Sequence, residues 1–225
     1  MTKKIRLLIR LLTFVPMAVC IIALFFLPDE IPAHYNAAGE VDRWGSKYET
    51  LLFPGLIVVT RAVMAFMTYV ATHGAGASES NRKILGYATA GILFVFDIMM
   101  LYYLYAGFAG VTELGSMPVD ISQLMCIAMG IVFIALGNYL PKLRRNGVSG
   151  VRTKWSIAND EAWKLSQRFG GAAFMADGII TIAIGVLVRG IASILVSLGL
   201  LIAAGTAMVL YSRHAYMRTQ RHSGE

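Results

Sequence analysis

The chain has 225 residues, is 57% hydrophobic and only 15% charged, and has a mean hydropathy of +0.64, which excludes an ordinary soluble domain. Its net charge of +7 is placed against nucleic-acid binding: Lys and Arg cluster just outside long apolar runs, on alternate sides, as cytoplasmic loops facing anionic lipid do. Membrane lipids are therefore the expected partner, and no direct nucleic-acid contact is expected.

A helix needs about 20 apolar residues to cross the hydrocarbon core, and that ruler predicts six spans: 7–27, 51–72, 84–108, 121–140, 170–188 and 191–211. The expected fold class is all-α integral membrane, with six transmembrane helices and both termini cytoplasmic. In that topology only Arg43, Lys47 and Arg189 lie outside and Arg61 lies within a span, while every other Lys and Arg lies inside.

The first run follows Lys3, Lys4, Arg6 and Arg10 and mimics a signal peptide, but it is long and no A-x-A cleavage pattern follows, so it is expected to stay as an anchor. The external loop 28–50 is rich in turn formers, with Pro28 and Pro32 limiting helix. Its His34, Gly39, Asp42 and Trp44 form a candidate external site. His34 with Glu40 and Asp42 at this spacing matches no established metal pattern, and an ordered surface cap is the plainer expectation. Cys20 and Cys126 sit inside apolar runs, outside any redox or metal spacing.

Arg61 falls near the middle of the second span, where an unpaired charge costs several kcal/mol. Asp97, at similar depth in the third span, is the expected partner in an interhelical clasp. Asp177 enters the fifth span about two turns from the cytoplasmic side, where Asn138, a loop arginine or its own protonation could satisfy it. These four, Arg61, Asp97, Asp177 and Asn138, make a candidate intramembrane polar site. Gly171, Gly178 and Gly185 recur every seven residues on one face of helix five, with Gly130 and Gly137 as candidate partners. Gly199, Ala203 and Ala207 offer a second small-residue ridge on helix six.

The cytoplasmic loop 141–169 carries Lys142, Arg144, Arg145, Arg152, Lys154, Lys164 and Arg168 against Asp160 and Glu161. Pro141 ends helix four, and Ser156 or Asn159 can cap a short interfacial helix in which Trp155 and Trp163 reach headgroup level. Arg152, Thr153, Trp155, Glu161 and Trp163 form a candidate cytoplasmic site, for lipid or for an acidic protein. No nucleophile with its base, no phosphate-cradling loop and no HExxH helix is present, so neither catalysis nor a cofactor is expected.

At these two loops the chain resembles the bacterial SdpI family. Leu27-Pro28 through Ile31-Pro32-x-His34 and Gly39-x-x-Asp42-x-Trp44-Gly45 look like its N-terminal module of unknown function. Gly137-Asn138-Tyr139-Leu140-Pro141-Lys142, Asn146, Gly150-x-Arg152-Thr153-x-Trp155 and the Glu161/Trp163 pair read like its C-terminal signature, although only one residue separates Glu161 from Trp163.

The resemblance implies a multi-pass protein of the bacterial cytoplasmic membrane that gives immunity to a secreted toxin. In the family's best-known member it also implies capture of a cytoplasmic transcriptional repressor. The expected organisation is a two-helix module at 1–72, a third helix with flanking loops at 73–120, and an SdpI-like three-helix module at 121–225. The alternative from the residues alone is a small ion-coupled transporter using the intramembrane charges; a membrane enzyme using His34 and nearby acids ranks last.

Overall fold

The computed structural model describes residues 2–36, 38–73 and 78–222. Six helices are long and apolar enough to cross a membrane. They are α1 (Lys3–Ala23), α2 (Leu52–His73), α3 (Glu79–Ala109), α4 (Ile121–Tyr139), α5 (Asp160–Leu187) and α6 (Ile191–His222). Of the polar loop that the sequence suggests at 73–83, residues 74–77 lie outside the described residues, as does Ala37 of the external loop, and 79–83 are the first turn and more of α3.

Local chemistry sets the ends. The Asp120 carboxylate accepts from Ser122 N and Gln123 N at the start of α4, and its other oxygen accepts from Gly190 N at 3.0 Å, tying that end to the α5–α6 turn. Gly110, at φ +58°, closes α3 in the left-handed conformation. Pro16 lies inside α1 and removes the N–H that Leu12 O would otherwise accept.

α5 starts ten residues before the predicted span. Asn159 Oδ1 accepts from Ala162 N at 2.7 Å, and Asp160 and Glu161 occupy the first turn, so the expected separate interfacial helix is the opening of α5 itself. Asn159 capped the right segment; nothing in the sequence marked its fusion to the span.

The external loop is ordered by strands, which the turn formers had hidden. β1 (Glu30–Tyr35) and β2 (Val41–Ser46) pair antiparallel, with register shifts between Pro32 and Tyr35. At the tip, Asn36 Oδ1 accepts from Ala38 N and Glu40 N. Val41 N donates to Thr112 O and Leu114 N to Gly39 O, so the hairpin is sewn to the α3–α4 connection.

α5 lies between α4 and α6, and α3 touches α1, α2 and α4. α4 and α5 meet backbone to backbone. A Cβ on Gly130 would sit 2.5 Å from Gly178 O, one on Gly178 2.6 Å from Gly130 O, and one on Gly137 2.7 Å from Gly171 O. Gly185 meets Gln123 O in the same way. The seven-residue glycine spacing thus marks a seam at which side chains are excluded. The ridge expected on α6 does not pack: a Cβ on Gly199 meets nothing within 4 Å.

Candidate functional site

The intramembrane residues do not gather. Arg61 lies over the Phe14 ring, 5.1 Å from its centroid, and shares a cleft with Arg6, Arg10, Gly86 and Thr89. Gly86 and Thr89 are about two to three turns toward the N-terminal end of α3 from Asp97. The Arg61–Asp97 clasp is therefore absent: the long guanidinium stem carries its charge along the helix to the other bases and an aromatic face. Asp97 is buried with neither carboxylate oxygen hydrogen-bonded. Asp177 is buried too, with Oδ2 unpartnered, while Asn138 is exposed. Neighbouring Thr181 also has a buried, unpartnered hydroxyl.

The external residues do come together. His34 Nδ1 lies 2.6 Å from Asp42 Oδ1 across the hairpin, and Trp44 is 50% exposed on the same strand as Asp42. Gly39 holds φ +84° at the tip. Three further contacts brace the hairpin. Arg43 grips Glu49 bidentately at 2.9 and 2.8 Å, Lys47 Nζ meets Asp29 Oδ1 at 2.8 Å, and Tyr35 OH donates to Val111 O at 2.9 Å. The Lys47 ammonium holds the Asp29 carboxyl below the usual carboxylate range. Burial pushes the Tyr35 phenol up to about 12. Among the described residues no three His, Cys, Asp or Glu side chains cluster as a metal would require.

The basic loop is highly organised by side-chain hydrogen bonds. Asn146 Oδ1 accepts from Val148 N and Ser149 N, both at 2.8 Å, and its amide donates to Arg144 O. Gln167, fully buried in α5, holds both backbone groups of Val151: Val151 N donates to Oε1 at 2.9 Å, and Nε2 donates to Val151 O at 3.0 Å. Gly150 precedes this clamp at φ +102°, where a side chain would be strained and would strike Gln167 Oε1. Thr153 and Ser156 bond each other's backbone N–H, and Thr153 Oγ1 meets Ser212 Oγ of α6 at 2.8 Å.

Trp163 belongs to this lock and not to the lipid surface. It is 3% exposed, and its Nε1 donates to Leu143 O at 2.8 Å. Trp155 remains half-buried under Lys154, whose Nζ is 5.1 Å from the ring centroid. Arg152 and Glu161 are exposed. Gln167 and Ser212 carried no motif in the sequence: the first fell in the basic loop and the second just past the sixth predicted span. Around the loop, Arg144, Arg145, Arg152 and Lys164 line a basin of about 840 Å³. Asp160 engages Arg145 at 3.0 Å, and among the described residues Arg144, Arg152 and Lys164 form no ion pair. The basic loop can hold an anion, and the hairpin presents an aromatic, hydrogen-bonded surface.

Comparison with known proteins places both loops. Residues 142–212 match the SdpI/YfhL protein family, and residues 11–58 match a domain of unknown function, DUF1648. The chain is 26% identical over 193 residues, 86% of each chain, to the immunity protein SdpI of Bacillus subtilis (strain 168). It is also 38% identical over 42 residues to an uncharacterized protein of Archaeoglobus fulgidus, covering 19% of this chain and 23% of that one. No solved structure matches.

Proposed function

From a six-span bacterial membrane protein whose residues 142–212 match the SdpI/YfhL protein family, we propose that this chain gives immunity to a secreted toxin, acting by binding and not by catalysis. The observation that carries this reading is the 26% identity to an immunity protein over 86% of both chains. With the basic loop on the cytosolic side, β1–β2 faces the toxin. The exposed Trp44 and the His34–Asp42 pair supply the aromatic and polar contacts of a recognition surface. α3, in contact with α1, α2 and α4, would join the 1–72 and 121–225 modules.

The free bases around Arg144 and Arg152 supply a docking surface for an acidic cytoplasmic partner, the role a recruited transcriptional repressor would fill. A transporter remains the rival because Asp97 and Asp177 are buried without full hydrogen bonding, as ion-coupled sites often are.

Survival of a toxin-sensitive host decides between them. Immunity predicts that expression raises survival under challenge with the secreted toxin. Trp44→Ala would lower protection at unchanged membrane abundance, and Asp97→Asn would leave it intact. Unchanged survival, together with altered flux of a solute that Asp97→Asn abolishes, overturns immunity in favour of transport.

A further inference from the structure

The basic basin adjoins a second cavity that the immunity reading does not use. An apolar cleft of about 360 Å³ lies between the cytoplasmic ends of α3, α4 and α6, lined by residues such as Leu85, Leu136, Gly205 and Met208, and closed below by the loop at 149–153. Arg152 lines both this cleft and the basin. One exposed guanidinium without an ion pair therefore stands at the junction of a cationic, water-facing hollow and a greasy slot at the depth of the inner leaflet.

A ligand satisfying both halves carries a negative head and a hydrocarbon tail. We propose that this junction is a binding site for one anionic phospholipid of the inner leaflet. Its phosphate lies in the basin among Arg152, Arg144 and Lys164, and one acyl chain occupies the cleft between α3 and α6. Charge complementarity selects the occupant: an acidic protein would fill the basin and leave the slot empty, whereas a zwitterionic lipid would fill the slot and leave the bases unneutralised. The locked backbone from Asn146 to Ser156 holds the Arg152 main chain at the mouth, so that only its side chain is ordered at binding. The site is independent of the toxin reading, and its lipid competes with the acidic partner proposed above for the same bases.

The test uses the full chain, delipidated in detergent and titrated with phosphatidylglycerol, phosphatidylcholine or sodium phosphate, with bound lipid counted by native mass spectrometry. Phosphatidylglycerol is expected to be retained at least about tenfold better than phosphatidylcholine, which is about 1.4 kcal/mol, with sodium phosphate a poor competitor. Arg152→Gln removes that preference. Gly205→Phe plugs the slot and removes retention, while Gly199→Phe, at an equally open position of the same helix, leaves it unchanged. Equal retention of the two lipids overturns the proposal. So does displacement by inorganic phosphate alone, or a Gly205→Phe variant that keeps the lipid while an acidic cytoplasmic protein competes for the basin.

Discussion

The two ends of the molecule solve the same problem by different means. The C-terminal half is welded: α4 and α5 touch through backbone at paired glycines, and buried polar side chains lock the loop between them. The N-terminal half is pinned from outside, where α1 and α2 meet α3 through side chains and a hairpin braced by exposed ion pairs sits on top. The difference follows from the solvent. In hydrocarbon, close backbone approach and satisfied polar groups hold helices together, whereas water weakens each ion pair of the hairpin to a minor share.

The largest blow to the comparison should come from the seam. Gly178→Leu places side-chain atoms where Gly130 O lies, and should cost about 3 kcal/mol or more by overpacking; Gly199→Leu should be near neutral. Reversible unfolding in mixed micelles measures both, and equal effects would show that the glycine face is not an interface.

The loop lock should come next. Gln167→Leu leaves Val151 N unbonded and removes one of the two donors to Val151 O, which keeps Ser156 Oγ, and should cost about 2 kcal/mol, and Trp163→Phe, which strands Leu143 O, about 1–2 kcal/mol. Protease nicking of the loop at 144–154 should rise in the same order. A lock that tolerates both substitutions would make the loop a surface feature no firmer than the hairpin.

Smaller effects belong to the N-terminal half. Because Arg61 lies over Phe14 and not against Asp97, Arg61→Asp combined with Asp97→Arg should accumulate no better than either single variant; rescue by the double exchange would restore the clasp.

Tyr35 has a raised pKa, so its contribution is complete below the ordinary phenol value of 10.0 and is lost as pH rises through about 12. Tyr35→Phe should flatten alkaline unfolding in that window. The Asp29 carboxyl is held low by Lys47, so its small contribution is present at neutral pH and fades only as acid protonates the folded form. Asp29→Asn should change acid unfolding least of all.

The spans, the glycine seam and the two loop motifs were legible because each is a local pattern: a length of apolar residues, a spacing of seven, a short motif. The hairpin was not, since Pro28 and Pro32 read as turn and a bulged two-stranded ribbon leaves little alternation. The clasp misled because depth along a helix says nothing of azimuth, and an arginine stem is long enough to choose its own level. Trp163 misled for a related reason: a tryptophan near a basic loop fits the membrane interface equally well until its Nε1 finds Leu143 O. Gln167 lay hidden in the basic loop, where one more polar residue beside Arg168 pointed to no partner.

Everything assigned to the two ends requires that they face opposite sides of the membrane. Both native cysteines are buried, so single cysteines can be introduced against a quiet background. Tyr48→Cys beside the hairpin and Gly147→Cys in the basic loop are both exposed. A membrane-impermeant maleimide on intact cells should label Tyr48→Cys and spare Gly147→Cys until the membrane is opened. Labelling of Gly147→Cys in intact cells, with Tyr48→Cys protected, would contradict the orientation and with it the division of labour between hairpin and loop.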